Sequence, residues 1–266
     1  MQNRIDTVMQ ACAATDRKAL VIFVSAGDPS LAVTEQLVDT AAAAGADIIE
    51  IGVPFSDPMA DGPAIQAASQ RALAAGTNLA GILDMVRRLR ARHASLGFVL
   101  FSYFNVLLQY GPARLARDSA AAGIDAWLVV DMPAEEAAEV RPLLAEHNLH
   151  WITLLAPTTP PERAAALLRD AGGFVYCITV IGITGARGEL PANLAAYLNE
   201  MKALTDVPIV AGFGISSPEM AAQVGAHADG IVVGSAVIEK LGTADSVEEG
   251  LAASREFICA LRAALG

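Results

Sequence analysis

The segment Asp47-Ile48-Ile49-Glu50-Ile51-Gly52 runs directly into Val53-Pro54-Phe55-Ser56-Asp57-Pro58-Met59-Ala60-Asp61-Gly62-Pro63, so one carboxylate lies inside an apolar run and two more follow it. With the two-residue period of an extended strand, Ile48, Glu50 and Gly52 share one face and Ile49 and Ile51 the other. Both faces are apolar enough to be buried. A carboxylate held among isoleucines loses its hydration, which raises its pKa and suits it to deliver a proton as well as to accept one. General acid–base chemistry is therefore predicted. Asp57 before Pro58 and Asp61 before Gly62 are both good turn formers, so residue type alone leaves open which of them joins Glu50. A purely structural Glu50 is the plain alternative, and the rarity of buried, unpaired glutamate favours function.

Gly212-Phe213-Gly214 and Gly234-Ser235 each follow an apolar β-branched run. Backbone N–H groups at such turns, together with a helix N-terminus, can hold phosphate, and glycine permits the close approach. Either pair alone reads as a tight turn; the two together favour a phosphate site. The stretch Gly182-Ile183-Thr184-Gly185-Ala186-Arg187-Gly188 belongs to a connection long enough to act as a lid. Within it Gly185 can donate an N–H to phosphate, Thr184 is suited to contact Asp61, and Arg187 reads as a solvated surface charge. The only lysines, Lys18, Lys202 and Lys240, precede a strand or lie in helical segments, so none is placed to form a Schiff base. His93, His147, His150 and His227 fall at helix ends or strand starts, and no metal-ligand cluster is predicted.

These groups need a scaffold that brings strand ends together. β-Branched runs near Leu20 to Ser25, Asp47 to Gly52, Phe98 to Ser102, Ala126 to Asp131, Trp151 to Leu155, Phe174 to Ile178, Ile209 to Gly212 and Gly230 to Gly234 alternate with Ala/Leu/Glu-rich amphipathic segments. Helix starts such as Ser217-Pro218-Glu219 and helix-ending glycines at Gly45, Gly123 and Gly173 mark the boundaries. Eight βα units predict an α/β fold, a (β/α)8 TIM barrel with its site at the carboxyl ends of the strands. A doubly wound open sheet is disfavoured, because the first strand runs into Ser25-Ala26-Gly27-Asp28-Pro29 and no GxGxxG follows it. An extra N-terminal helix, Gln2 to Ala14, is expected to cap the barrel floor. Besides Glu50, Asp57 and Asp61, the predicted rim carries Asp28, Tyr103, Asn105, Asp131, Thr158 and Thr159.

The 266 residues carry no Pro/Ser/Gly-rich linker or change of composition, which predicts a single domain over 1–266. A net charge of −11 with no basic patch argues against nucleic acid and for a small-molecule substrate. Mean hydropathy is high, +0.44, yet no apolar stretch approaches the roughly 18 residues a membrane helix needs. The charged start, Met1 to Asp6, does not read as a secretion signal, and a cytoplasmic location is expected. Cys12, Cys177 and Cys259 are widely spaced and are expected to be reduced thiols.

The run from Glu50 to Pro63 resembles the signature of the tryptophan synthase α subunit family, and the resemblance extends almost end to end. Ser25 to Pro29, Tyr103-Phe104-Asn105, Asp131-Met132-Pro133, Ala156-Pro157-Thr158, Gly182 to Gly185, Gly212-Phe213-Gly214 and Gly234-Ser235 occur in the family's order. The resemblance implies a cofactor-free retro-aldol cleavage of indole-3-glycerol phosphate to indole and glyceraldehyde 3-phosphate. It implies that Glu50 moves protons at indole C3 and the side-chain hydroxyl, that Asp61 takes or stabilises the indole N–H proton, and that Phe23, Leu100, Tyr176 and Phe213 line the pocket. It also implies an αββα complex with a pyridoxal-phosphate β subunit, met by Pro54, Asp57, Asn105 and Pro133, and coupling through closure of Thr184 over Asp61. Val106, where many members have proline, and Val180-Ile181, where polar or basic residues are common, depart from the family pattern. Other readings of the same inventory are a phosphosugar isomerase, a lyase without a β partner, and a regulatory subunit that binds phosphate without turnover.

Overall fold

Strands whose residues are apolar on both sides must be covered on both sides, which a parallel sheet wrapped into a barrel and ringed by amphipathic helices achieves. A computed structural model of the chain describes residues 2–133, 135–179, 193–212 and 214–266. Among the described residues the strands are β1 (Ala19–Ser25), β2 (Ile48–Gly52), β3 (Gly97–Ser102), β4 (Ala126–Val129), β5 (His150–Trp151), β6 (Thr153–Leu155), β7 (Val175–Ile178), β8 (Ile209–Gly212) and β9 (Gly230–Val233). Helices α1 (Arg4–Ala14), α2 (Leu31–Ala43), α3 (Pro63–Ala74), α4 (Leu79–Arg92), α5 (Phe104–Tyr110) and α6 (Pro112–Ala122) belong to the first half. Helices α7 (Arg141–Ala145), α8 (Pro161–Leu168), α9 (Leu194–Ala203), α10 (Pro218–Gly225), α11 (Ser235–Gly242) and α12 (Val247–Ala264) belong to the second. Among the described residues no helix is long and apolar enough to cross a membrane.

Every pairing is parallel, in the order β5-β4-β3-β2-β1-β9-β8-β7-β6. The predicted fifth strand is two: β5 pairs with β4, β6 pairs with β7, and the break falls at Ile152. Ile152 still donates its N–H to the Trp127 carbonyl at 2.8 Å while its side chain enters the interior cluster. The two ends of the strand order are therefore consecutive in the chain, and the barrel closes there as the expected eight-position ring.

Alternation along the strands sorts the apolar residues into two layers. Leu20, Ile22, Ile49, Ile51, Phe98, Leu100 and Trp127 pack outward against the helices, whereas Val21, Ile48, Val99, Leu128, Ile152 and Phe174 fill the barrel. Each such buried aliphatic side chain contributes about 2 kcal/mol. The floor is closed by α1, which adds Ile5, Met9 and Cys12 to the interior cluster. Asn3 fixes this helix: its side chain accepts from Ile5 N and donates to the carbonyls of Asp125 and Asn148, at 2.8 Å each.

The Asp125 carboxylate, 2% exposed, gathers Arg90 at 2.7 Å, Arg4 at 2.9 Å and the Phe98 N–H at 2.8 Å, and Arg90 also lies over the Phe98 ring. Burial lowers the Arg90 pKa to about 10 despite this acidic neighbour. Removing Asp125 leaves the largely buried Arg90 guanidinium without its counter-charge. Asp125→Ala is expected to lower the unfolding free energy by about 3 kcal/mol, read from urea denaturation; a change under about 1 kcal/mol would assign the pair no more weight than a surface ion pair.

Candidate active site

Glu50 stands at the centre of β2, in register with Phe23 of β1 and Val99 of β3, and shares the interior face with Ile48. It is 1% exposed, and its Oε1 is buried without a hydrogen-bond partner. Desolvation alone pushes its pKa up to about 8. At neutral pH the carboxyl is therefore protonated, a donor in an apolar setting.

Asp61 arrives from the loop between β2 and α3, where Gly62 and Pro63 start the helix. A turn formed by Asp61 N and the Pro58 carbonyl at 3.0 Å, and a bond from Gln66 Nε2 to the Asp61 carbonyl at 2.8 Å, fix its backbone. Burial raises its pKa to about 6, against the lowering effect of a hydrogen bond donated by the Tyr103 hydroxyl. Asp61 is thus ionised near neutrality while Glu50 is not.

Both carboxyl groups line a cleft of about 490 Å³, partly open to solvent, whose other walls are Phe23, Ile65, Phe101, Tyr176, Gly214, Ile215, Val232, Gly234, Ser235 and Ala236. Phe23 and Phe101 meet edge to face with centroids 5.0 Å apart. The Tyr176 hydroxyl is held well above its ordinary pKa, first by burial and then by the charges of Glu50 and Asp61. A Cβ on Gly212 would come within 2.4 Å of that hydroxyl, so Gly212 makes room for Tyr176. Gly214 has a left-handed φ of 85°, which favours glycine at the turn after β8. Gly234 precedes α11, and the opening N–H groups of Ser235 and Ala236 have no acceptor within the helix. No lysine or arginine lines this cleft among the described residues. An anion there would meet backbone N–H groups and a helix N-terminus rather than a cationic side chain.

The other acids of the predicted rim are committed elsewhere. Asp28 receives a bidentate pair of bonds from Arg71 at 2.7 and 2.8 Å, and Asp131 accepts from Phe104 N at 2.7 Å. Asp57 is exposed and bonds Ser56. Asp61, not Asp57, therefore shares the cleft with Glu50. Asn105 and Pro133, which follow β3 and β4, are exposed, as are the apolar side chains of Met59 and Leu108, whereas Pro54 is buried. Thr158 and Thr159 line a separate depression with Asp131 and Pro133.

One expectation differs in place. Leu100 packs in the outer layer, on the opposite face of β3 from Val99, and Phe101 lines the cleft in its stead. Alternation from Val99 marks Phe101 as inward-facing, so the signal was present. Thr184, Gly185, Arg187, Val180, Ile181 and Phe213 lie outside the described residues. The bond from Tyr103 to Asp61 had no sequence signal, since it joins residues from different βα units.

Comparison with known proteins agrees with this architecture. The family model for the tryptophan synthase alpha chain matches residues 9–265. The chain is 50% identical over 250 residues to the tryptophan synthase alpha chain of Geobacter sulfurreducens, covering 94% of each, and 44% identical over 261 residues to that of Chloroflexus aggregans, covering 97% of this chain and 98% of the other. Among solved structures it is similar to tryptophan synthase subunit alpha from Legionella pneumophila, with a TM-score of 0.92 and 37% identity over 100% of this chain and 99% of that one. A chain of Mycobacterium tuberculosis tryptophan synthase gives a TM-score of 0.90 and 34% identity, over 100% of this chain and 99% of that one. With a match over nearly its whole length, and with the barrel and paired acids already described, the chain belongs to the tryptophan synthase alpha chain family.

Proposed function

We propose that Glu50 and Asp61 perform the proton transfers by which this tryptophan synthase α subunit cleaves indole-3-glycerol phosphate. The support is a fully buried carboxyl with an unpartnered oxygen, facing an apolar cleft that it shares with a second, ionised acid. Indole suits the aromatic wall of Phe23, Phe101 and Tyr176. Its N–H is a donor that an ionised Asp61 accepts.

The protonated Glu50 gives its proton to indole C3 while Asp61 draws the N–H proton, so the ring becomes an indolenine that can accept an electron pair. The Glu50 carboxylate then takes the proton of the adjacent side-chain hydroxyl. The oxygen pair forms the carbonyl of glyceraldehyde 3-phosphate, the C–C bond breaks, and its electrons return to the ring as Asp61 gives the proton back to nitrogen. Net, the hydroxyl proton has moved to C3 and both acids are restored. This cycle draws on carboxyl groups alone and calls for no cofactor in this chain.

Gly214, Gly234 and Ser235 are the phosphate ligands in this reading, with α11 contributing its positive end. Gly185 of the family pattern completes the set. The β subunit is the partner that receives indole. Asp57, Asn105 and Pro133, with Met59 and Leu108, supply the exposed rim against which it docks.

The primary test is indole release from indole-3-glycerol phosphate by the purified chain, with and without a β subunit; turnover that rises on adding the partner is expected, and none under either condition would reject the reading. Glu50→Gln and Asp61→Asn are each expected to lower kcat by about 100-fold or more while still binding glycerol phosphate in calorimetry. Because the reaction needs Glu50 protonated and Asp61 ionised, kcat/KM should follow a bell with limbs near pH 6 and pH 8. A flat profile from pH 5 to 9 would remove the pair from the mechanism. A Cβ on Gly234 would press on Phe23 at 3.1 Å, so Gly234→Val should weaken glycerol phosphate binding with the fold retained; unchanged affinity would take this glycine out of the site.

A further inference from the structure

Tyr103 closes the end of β3 and is 2% exposed, its ring stacked on Phe55 with centroids 5.0 Å apart. Its hydroxyl accepts from the Ala60 N–H at 3.0 Å and faces Asp61 Oδ2 at 3.0 Å. A phenol has one proton to donate. With the backbone N–H directed at the oxygen, that proton is left for the carboxylate. We infer that the Tyr103 hydroxyl is a positioning residue for the lyase reaction, locking Asp61 by one oxygen so that the other is presented to the indole N–H. The inference rests on the assignment of Asp61 to that proton.

Three observations carry it. The bond spans two βα units, so it ties the connection after β2 to the end of β3 instead of stabilising either alone. The neighbouring residue Ala60 is held by the same oxygen, which fixes the backbone at Asp61 as well as its side chain. Phe104, next to Tyr103, is bonded to Asp131, so the anchor itself is braced against the end of β4. Among the described residues, the titratable groups around Asp61 are Tyr103 after β3, Glu50 on β2 and Tyr176 on β7, and Asp131, after β4, bears on Tyr103. Of these, Tyr103 alone donates a hydrogen bond to the Asp61 carboxylate among the described residues. This bond favours the charged form, so removing it raises the pKa of Asp61.

Tyr103→Phe deletes the hydroxyl and keeps the ring that stacks on Phe55. The expected result is a kcat about tenfold lower with little change in KM, and an acidic limb of the pH profile moved up by about one unit. Titration of the Asp61 carboxyl by ¹³C NMR in the same variant should move in the same direction. An unmoved limb together with an unmoved NMR titration would overturn the inference, whatever happened to kcat, because a merely structural role predicts that combination. Asp61→Asn is measured alongside. If it retained turnover, the assignment of Asp61 would fail; if it lost turnover while Tyr103→Phe matched the parent in kcat and pH profile, only the positioning role would fail.

Discussion

A carboxyl oxygen with nothing to bond to, enclosed in the interior of a closed barrel, is the constraint that the surrounding structure has to meet. Leaving such a group unsatisfied costs about 1–3 kcal/mol, and ionising it there costs more, which is why Glu50 stays protonated near neutrality. Only a well-packed surround can hold it. Val21, Ile48 and Val99 beneath it and Ile49 and Ile51 behind it each return about 2 kcal/mol on burial. Closure of the sheet at Ile152 completes the interior in which this packing is achieved. Stability is thus spent at one residue to keep a proton available, and recovered from its neighbours.

The same constraint bears on charge. The chain carries −11 overall, and among the described residues no lysine or arginine lines the cleft, yet the substrate is a phosphate ester. In the proposed reading, attraction comes from oriented N–H groups and from roughly half a positive charge at the start of α11. An ionised Glu50 would oppose an incoming phosphate; a neutral one does not. In that reading, protonation of Glu50 serves binding as well as chemistry, and among the described residues Asp61 is the one acid lining the cleft that carries the charge.

How much of this was readable in the residues depends on whether the signal was local. Glu50 was legible because two-residue alternation over Ile48 to Gly52 is a property of five consecutive residues. The barrel was legible from the rhythm of its strands, and α1 as its floor from a single amphipathic segment. The same alternation on β3 assigns Phe101 to the interior, and the expectation of Leu100 came instead from family likeness, one residue out of phase. The break at Ile152 has no signal within Trp151 to Leu155, a largely apolar run with only Thr153 to interrupt it, and the register of both neighbours, not its own composition, divides it. The choice between Asp57 and Asp61 could not be made from turn propensity at all. It follows from burial and from a hydroxyl 42 positions away.

The floor ties together parts of the chain that are remote in sequence. Asn3 bonds the carbonyls of residues 125 and 148, and Asp6 bonds His150, so the first helix is pinned to the middle of the polypeptide as well as to the early strands it packs against. Arg262, near the other terminus, then ties the Lys18 carbonyl and Asp47. Together with the packing of Ile5, Met9 and Cys12 on Val21, Ile48 and Val99, these bonds fasten the first and last helices to the side of the barrel that faces away from the cleft. Segments far apart along the polypeptide thus share one base plate, and the bonds that secure it are kept apart from the proton chemistry by the length of the strands.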